Sequence, residues 1–241
     1  MLNHWKTRLP FFPIWPEMAD LDGILIPIRN SPFPPFLRRH LLAGGYEVAE
    51  RKLVDEFVRP DDRVLEIGAS AGVLSSFLWR KVGRNGRVVS VEGNPALRKW
   101  FEAQLASNGF SGEWKEAVCW PTWDESVPEQ VRQTGLMPRD NPLGSSVVEG
   151  SEPCADGAWQ SAAQICNDCL IDPTVVIVDI EGMETVWVEY PPKIPRCVRI
   201  LIVEFHPTLV DPRLLGRSIQ ALVEEGFAVC GMSGTVLAFS R

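Results

Sequence analysis

Acidic residues follow apolar runs of strand length at several points of this sequence. Glu66 and Glu92 end two such runs, the acids within 179–184 follow a third, and Glu204 ends a fourth just before His206. In a parallel sheet the carboxyl ends of the strands meet at one edge, and α/β proteins bind their ligands there. The pattern therefore predicts a small-molecule crevice lined by carboxylates.

A glycine-containing turn follows the first of these acids. Gly68 and Gly72 allow a tight turn whose backbone approaches a ligand before a helix begins. One strand-helix-strand unit further along, Glu92 is placed to accept hydrogen bonds from ribose hydroxyls. A dinucleotide site more often shows three glycines as G-x-G-x-x-G, whereas Ser70 stands between the glycines here. This order favours S-adenosylmethionine over NAD as the cofactor.

The later acids and one histidine are the candidates for chemistry. Asp179 and Glu181 would point the same way along a strand, so they can hold the cofactor's ammonium group, bind a cation or orient a hydroxyl. His206 is the best candidate for a general base, because an imidazole titrates near pH ~6.5; the alternative is a histidine that only packs. We predict His206, Asp179 and Glu204 as the catalytic residues.

Composition limits the possible partners. The 241 residues carry 24 Lys and Arg against 31 Asp and Glu, a net charge of −7, which disfavours nucleic acid as a partner. No apolar run near residue 1 is long enough for a signal peptide or a membrane span, so we expect a cytoplasmic enzyme that contacts no membrane. Cys166 and Cys169 lack two further zinc ligands, so no metal site is predicted. The oligomeric state stays open.

The order of elements indicates one doubly wound domain. Alternating strands and helices from residue 63 onward predict a parallel sheet, and a hairpin near the C-terminus adds an antiparallel strand over residues 235–240. Residues 1–45 are predicted to form an N-terminal cover, with the main domain over 46–241. Within it, the irregular stretch 121–173 is an insertion that forms a lid over the crevice or a mobile surface loop. We expect the acceptor between cover and insertion.

Five motifs in this order resemble the FkbM-type methyltransferases. They are Gly45-Tyr46-Glu47, Val64-Leu65-Glu66-Ile67-Gly68-Ala69-Ser70-Ala71-Gly72, Val91-Glu92-Gly93-Asn94-Pro95, Asp179-Ile180-Glu181-Gly182-Met183-Glu184 and Val203-Glu204-Phe205-His206. The resemblance covers the chain from about Leu21 onward. It implies the class I methyltransferase (Rossmann-like) sandwich, an α/β fold with a seven-stranded, mostly parallel sheet and one antiparallel strand, to which this chain adds the predicted N-terminal extension. It also implies O-methylation of hydroxyls in natural products or sugars, with S-adenosylmethionine as cofactor.

The resemblance and the strand-end acids together define a predicted cofactor site. Its residues are Tyr46, Glu47, Glu66, Gly68, Ala69, Ser70, Gly72, Glu92, Gly93, Asn94, Glu116, Ala117, Asp179 and Glu181. The chain departs from the family's Asp-Ile-Gly-Ala-Asn at Glu66 and Ser70, and from its Asp-x-Glu-Gly-Ala-Glu at Met183, changes that bear on acceptor contacts more than on the fold. Two alternatives stay open: a methyltransferase-like binding module without turnover, and a nicotinamide-dependent oxidoreductase.

Overall fold

The computed structural model describes residues 15–124, 126–138, 145–148 and 158–241. Residues 1–14 of the predicted cover lie outside the described residues. So do residue 125 and most of 139–157, which belong to the predicted insertion.

The elements alternate between strands and helices along most of the chain. They are β1 (Met18–Leu21), β2 (Ile24–Pro27), α1 (Pro35–Leu42), α2 (Val48–Phe57), β3 (Arg63–Ile67), α3 (Val73–Val82), β4 (Arg87–Glu92), a 3-10 turn (Pro95–Leu97), α4 (Arg98–Ala106), β5 (Glu113–Glu116), β6 (Val118–Trp120), α5 (Glu129–Arg132), β7 (Gly135–Pro138), β8 (Ser145–Val148), β9 (Trp159–Ser161), α6 (Ala162–Cys169), β10 (Val175–Val178), a second 3-10 segment (Met183–Val188), β11 (Ile200–Glu204), α7 (Pro212–Glu224), β12 (Ala228–Ser233) and β13 (Val236–Ser240). Among the described residues, no helix has both the length and the apolar character needed to cross a membrane.

Seven strands form the central sheet in the order β12-β13-β11-β10-β3-β4-β5. The pairs β10 with β11, β10 with β3, β3 with β4 and β4 with β5 are parallel, while β13 runs antiparallel to both of its neighbours. From β3 the chain progresses toward β4, and from β10 it progresses toward β11 on the other side. The sheet therefore has its topological switch point between β3 and β10, where α/β folds bind ligands. The predicted fold, including the terminal antiparallel hairpin, is confirmed.

Alternation along β3 divides the core into two layers. Leu65 and Ile67 pack with residues of α6 and α7 on one face of the sheet, whereas Val64 packs with α2 and α3 on the other. Glu66 shares the face of Val64 because side chains two apart point the same way. Its side chain is consequently buried against α3, with 1% of the residue exposed.

The N-terminal hairpin and α1 cover the start of α3. Leu21, Ile24 and Leu41 belong to one apolar cluster with Val73 and Phe77 of that helix. The side chains of Gln104 in α4 and of Asn108, just after that helix, donate hydrogen bonds to the Leu25 carbonyl at 3.1 and 2.8 Å. This cover is thus attached to the two helices that follow the glycine turn and β4.

Part of the stretch predicted as an insertion belongs to the main core. The strand β9 pairs in parallel with β6, and α6 places Ala162 and Ile165 in the larger of the two core layers. The indole Nε1 of Trp187 donates to the Pro121 carbonyl at 2.7 Å and fixes the entry into this stretch. Residues 158–171 therefore form a crossover between the two halves of the sheet. A lid role for the rest of 121–173 stays a prediction.

Candidate cofactor and active site

A cleft opens at the carboxyl ends of β3, β4 and β10, at the topological switch point. Its empty volume is about 600 Å³, counting the solvent at its mouth. The lining comprises Ile67, Gly68, Ser70, Val91, Glu92, Gly93, Ala117, Val118, Cys119, Asp179, Ile180, Glu181 and Met183. The cleft thus lies where the strand-end acids predicted it.

The glycine turn is held tightly between two strands. The amides of Gly68 and Ala69 donate to the Val91 carbonyl at 2.9 and 3.0 Å, and the Asp179 amide donates to the Ile67 carbonyl at 2.9 Å. Gly68 has φ +92°, and a Cβ there would lie 1.7 Å from the Asp179 carbonyl oxygen. No other residue fits this position without moving β10, so the glycine sets how closely the turn approaches the switch point.

Glu92 binds the turn and still has acceptor capacity. Its Oε2 accepts the Ser70 amide at 2.9 Å and its Oε1 accepts the Asn94 amide at 2.8 Å. Burial raises the pKa of Glu92, and hydrogen bonds from the amides of Asn94, Ser70 and Gly93 oppose that rise. A carboxylate has about four lone-pair sites, so after the three amides the group can still accept from a ribose hydroxyl.

Glu66 takes a different place from the one predicted. It lies outside the cleft lining, and its Oε2 accepts hydrogen bonds from the hydroxyls of Ser75 and Ser90, both at 2.6 Å. Burial raises the pKa of Glu66 to about 7, although both hydroxyls oppose the rise. The side chain joins β3, β4 and α3 behind the glycine turn and supports the turn from the core. Direct contact with a cofactor remains a prediction.

The structure places half of the predicted cofactor residues in the cleft lining. Gly68, Ser70, Glu92, Gly93, Ala117, Asp179 and Glu181 line it. Tyr46, Glu47, Glu66, Ala69, Gly72, Asn94 and Glu116 lie outside the lining. The apolar lining residues Ile67, Val91, Val118, Cys119, Ile180 and Met183 were not predicted, although each stands within two positions of a predicted residue in the sequence.

Beside the cleft, His206 is held in one orientation by a buried carboxylate. Oε1 of Glu184 accepts the His206 amide at 2.8 Å and lies 3.1 Å from its Nδ1, while Oε2 accepts the Gly182 amide at 2.9 Å. The Glu184 side chain is 0% exposed. It was not predicted as a site residue, although it is the last acid of the Asp179 to Glu184 motif. Its contacts make it the residue that positions His206.

The other nitrogen of His206 faces three carboxylates. Its Nε2 lies 3.4 Å from Asp179 Oδ1, 3.8 Å from Glu181 Oε2 and 4.0 Å from Glu204 Oε2. The predicted catalytic residues Asp179, Glu204 and His206 therefore meet in space from two neighbouring strands. Asp179 and Glu181 also line the cleft, so this acid-histidine cluster adjoins it directly.

Carboxylates dominate the electrostatics of this cluster. Burial, followed by the charges of Glu204, Glu181 and other acids, raises the pKa of Asp179 well above its usual range. Burial and the neighbouring Glu50 raise the pKa of Glu204 to about 7, while His206 opposes the rise. Burial lowers the pKa of His206, but the hydrogen bond and charge of Glu184 outweigh it, so the net pKa is raised. The cluster favours added positive charge.

The donors and acceptors of the cleft fit a nucleoside that carries an amino-acid tail. Glu92 offers lone pairs for ribose hydroxyls, and the absence of a side chain at Gly68 leaves the turn close to β10. Asp179 Oδ1 is buried without a hydrogen-bond partner within the described part of the chain, so it can accept from an ammonium group. These features match the ribose and methionine ends of S-adenosylmethionine.

Two sequence comparisons agree with this geometry. Residues 46–119, under a third of the chain, match the family model of protein-L-isoaspartate(D-aspartate) O-methyltransferase. Over 78 residues the chain is 35% identical to a ubiquinone/menaquinone biosynthesis C-methyltransferase, UbiE, from Teredinibacter turnerae. That match covers 32% of this chain and 31% of the relative, so the chain spans about a third of the relative's length.

Two solved structures show a distant likeness to this chain. A ribosomal protein L11 methylase from Lactobacillus delbrueckii subsp. bulgaricus superposes with a TM-score of 0.46 at 15% identity, covering 79% of this chain and 76% of that one. Fibrillarin from Aeropyrum pernix, solved with bound S-adenosyl-L-methionine, gives 0.43 at 13% identity, covering 80% and 73%. The strand order of the sheet itself carries the fold assignment.

The family match covers the segment that contains the glycine turn. That segment holds the cleft residues of β3 and β4. The chain has the class I methyltransferase fold, with S-adenosylmethionine as its cofactor, and the findings support its place in the broad class of S-adenosylmethionine-dependent methyltransferases.

Proposed function

We propose that this chain is an O-methyltransferase that acts on a hydroxyl group of a small molecule, a natural product or a sugar-containing metabolite. One observation carries the proposal: the acid-histidine cluster adjoins the cofactor cleft and shares Asp179 and Glu181 with it. A hydroxyl held by the cluster is therefore a neighbour of a cofactor held in the cleft. The resemblance to the FkbM-type family supports the same acceptor class.

The position of each cleft residue supports its proposed cofactor role. Glu92 accepts the ribose hydroxyls, the turn around Gly68 and Ser70 faces the amino-acid tail, and Ala117 borders the adenine. Asp179 Oδ1 accepts a hydrogen bond from the ammonium group of the cofactor or from the hydroxyl of the acceptor. When bound, S-adenosylmethionine supplies an electrophilic methyl group on a positively charged sulfur.

The cluster prepares the acceptor. Glu184 holds the ring of His206 through Nδ1, so Nε2 faces the shared carboxylates and takes the proton of an acceptor hydroxyl. Glu204 and Asp179 then stabilise the positive charge that the imidazole gains. A hydroxyl oxygen aligned with the methyl group also gains much of its rate from proximity.

Charge supports a small acceptor over a nucleic acid. The net charge of −7 and the carboxylates at the cleft repel a phosphate backbone. We propose a cytoplasmic location as well, because the five cysteines of the described residues are free thiols, which is typical of a reducing compartment. Natural-product biosynthesis is the proposed context.

Calorimetric titration with S-adenosylhomocysteine and with NAD tests the cofactor site without knowledge of the acceptor. We expect binding of S-adenosylhomocysteine alone, at least about tenfold weaker in Glu92→Ala because a charge-assisted hydrogen bond is lost. Glu102→Gln, which changes an exposed glutamate on α4, serves as the matched control and should bind like the natural chain. Preference for NAD, or unchanged affinity in Glu92→Ala, would contradict the assignment.

A screen of hydroxylated small molecules, with protein and RNA acceptors beside them, tests the acceptor class. We expect methyl transfer to a hydroxyl, and in His206→Ala a large loss of turnover with unchanged S-adenosylhomocysteine affinity. Methyl transfer to a carbon atom, to RNA or to protein would contradict the proposed small-molecule hydroxyl acceptor. Cofactor binding without transfer to any acceptor would favour a binding module.

A further inference from the structure

We propose that Asp179, Glu204 and His206 form a binding site for a divalent cation of the Mn²⁺ type. The site deepens the proposed function, on which its catalytic meaning rests. Cation binding itself is measurable without any turnover. The inference depends on donor geometry, on an unpartnered buried oxygen and on the way the histidine is held.

The donor atoms have the spacing of a coordination shell. One ligand atom from each of Asp179, Glu204 and His206 lies within 4.8 Å of the other two. Metal–ligand bonds of about 2.0–2.2 Å place neighbouring donors about 3 Å apart and opposite donors about 4 Å apart. The separations of 3.4 Å and 4.0 Å from His206 Nε2 fall in this range.

A buried oxygen without a partner points into the same space. Asp179 Oδ1 is buried and has no hydrogen-bond partner within the described part of the chain. Its neighbour at 3.4 Å is His206 Nε2, which is beyond the usual length of an N–H···O bond. Buried carboxylate oxygens are almost always hydrogen-bonded or bound to a metal, so this atom is available to a positively charged ligand.

The histidine is held as metal-binding histidines are held. Its Nδ1 lies 3.1 Å from Glu184 Oε1, and this carboxylate is 0% exposed. A carboxylate on one ring nitrogen fixes the tautomer and directs the lone pair of the other nitrogen toward the metal. The Nε2 of His206 then faces Asp179 and Glu204.

The charges around the three ligands favour a cation of two positive charges. Glu181 is a further acid beside the three ligands, since its Oε2 lies 3.8 Å from His206 Nε2. Oxygen donors favour Mg²⁺, Ca²⁺ and Mn²⁺, whereas an imidazole favours transition metals, so the mixed set suits Mn²⁺. A cation here would offset the repulsion among these carboxylates.

A bound cation changes which group activates the acceptor. Coordination uses the Nε2 lone pair of His206, so His206 no longer takes the hydroxyl proton. Three protein ligands would leave coordination positions open, and an acceptor hydroxyl in one of them would have a lowered pKa and would release its proton to solvent water as it is methylated. The open positions lie beside the cleft because Asp179 lines it.

The test is a titration of the full chain with Mn²⁺ after removal of metal by a chelator. Calorimetry and the electron paramagnetic resonance signal of free Mn²⁺ should report one site. Glu204→Gln and His206→Gln should each weaken Mn²⁺ binding at least about tenfold, since each removes one ligand. The control is Glu102→Gln, which replaces an exposed glutamate outside the cluster and should bind Mn²⁺ like the natural chain. Mn²⁺ should also raise the melting temperature of the natural chain more than that of either ligand variant.

Several outcomes would overturn the cation site: no Mn²⁺ binding at millimolar concentration, or equal binding in the natural chain and both ligand variants. The melting temperature of each variant without Mn²⁺ shows whether it folds, and His206→Gln keeps the test valid if Glu204→Gln does not. S-adenosylhomocysteine titrated into the same samples separates the two proposals. Mn²⁺ binding without S-adenosylhomocysteine binding would keep the cation site and reject the methyltransferase site; the reverse result would reject the cation site alone.

Discussion

The carboxylates at the ends of β3 and β4, the first half of the site, have different surroundings from those at the ends of β10 and β11, the second half. At the ends of β3 and β4, Glu92 accepts two backbone amides and Glu66 accepts two serine hydroxyls, so each has partners from its own chain. At the ends of β10 and β11, Asp179 and Glu204 face each other and one histidine, and Asp179 Oδ1 has no partner within the described residues. The carboxylates of the first half are hydrogen-bonded within the protein, whereas those of the second half are suited to bind a positively charged ligand.

The difference shows which functions each half can perform. A carboxylate that is already hydrogen-bonded is fixed in place and recognises a neutral hydroxyl by its remaining lone pairs. Carboxylates that repel one another store unfavourable energy, which a proton, an ammonium group or a metal ion relieves. The β3 and β4 half therefore suits recognition of a nucleoside, and the β10 and β11 half suits chemistry.

The largest expected effect breaks the contact that joins the two halves. Gly68→Ala places a Cβ 1.7 Å from the Asp179 carbonyl oxygen at φ +92°. We expect a loss of at least ~3 kcal/mol in the free energy of unfolding, from overlap and from the left-handed backbone, together with loss of S-adenosylhomocysteine binding. Chemical denaturation and calorimetry measure both.

Gly109→Ala is the matched control for Gly68→Ala. Gly109 has φ +74° and nothing within 4 Å of an added Cβ, so only the backbone cost of ~1 kcal/mol is expected. Equal destabilisation by the two substitutions would show that overlap with Asp179 does not matter.

The next prediction concerns Glu66 of the first half and the dependence of folding stability on pH. Burial raises the pKa of Glu66 to about 7 in the folded chain, above the value of about 4.5 that applies when unfolded. The folded state keeps its proton longer, so stability falls as pH rises between these values, by up to ~3 kcal/mol. Glu66→Gln should remove this loss and be the more stable protein, relative to the natural chain, above about pH 7.

Thermal or denaturant unfolding from pH 4 to pH 8 measures the Glu66 effect as a difference between the two proteins. Glu102→Gln on the surface of α4 should follow the natural chain across the range. Parallel pH profiles for the natural chain and Glu66→Gln would place the titrating group elsewhere.

A smaller effect sharpens the description of the second half. The side-chain amide of Glu184→Gln has one acceptor oxygen where the carboxylate has two. Either the His206 groups that contact Oε1 or the Gly182 backbone amide therefore loses its acceptor. An unpaired buried donor costs about 1–3 kcal/mol of stability. Mn²⁺ affinity should fall about 10- to 100-fold, because the histidine is no longer held. S-adenosylhomocysteine affinity should not change.

Glu189→Gln is the control for Glu184→Gln, since Glu189 is an exposed glutamate that directly follows the same 3-10 segment. It should leave stability and Mn²⁺ affinity unchanged. A large loss of cofactor affinity in Glu184→Gln would mean that the two halves are coupled more tightly than their separate hydrogen bonds indicate.

The smallest effect concerns a cap at the edge of the first half. Asn94 Oδ1 accepts the Ala96 amide at 3.1 Å, while the cleft contact to Glu92 uses the backbone amide of Asn94. Asn94→Ala should cost ~1 kcal/mol of stability and change cofactor affinity by only a few-fold. Asn94→Ser retains a capping oxygen and should recover most of the stability. A loss of affinity as large as that of Glu92→Ala would assign the Asn94 side chain to the cofactor.

Local patterns in the sequence were enough for the fold and for the residues of the first half. Alternating apolar runs, Gly68 and Gly72 in the turn and Glu92 at the end of β4 are all short-range signals, because one strand-turn-helix-strand unit brings these residues together. The sequence did not show that Glu66 turns away from the cleft. The register of β3 against α3 decides this, since alternation along the strand puts its side chain beside Ser75.

The sequence by itself determined a parallel sheet with acids at its strand ends, since strand periodicity and turn residues act over a few positions. Only the tertiary structure decided which acids meet. Asp179, Glu184 and His206 come from different elements, and their distances depend on the pairing of β10 with β11 and on the packing of the 3-10 segment between them. Coulomb energy falls inversely with distance, so these charges act most strongly on one another because tertiary packing brings them within about 4 Å.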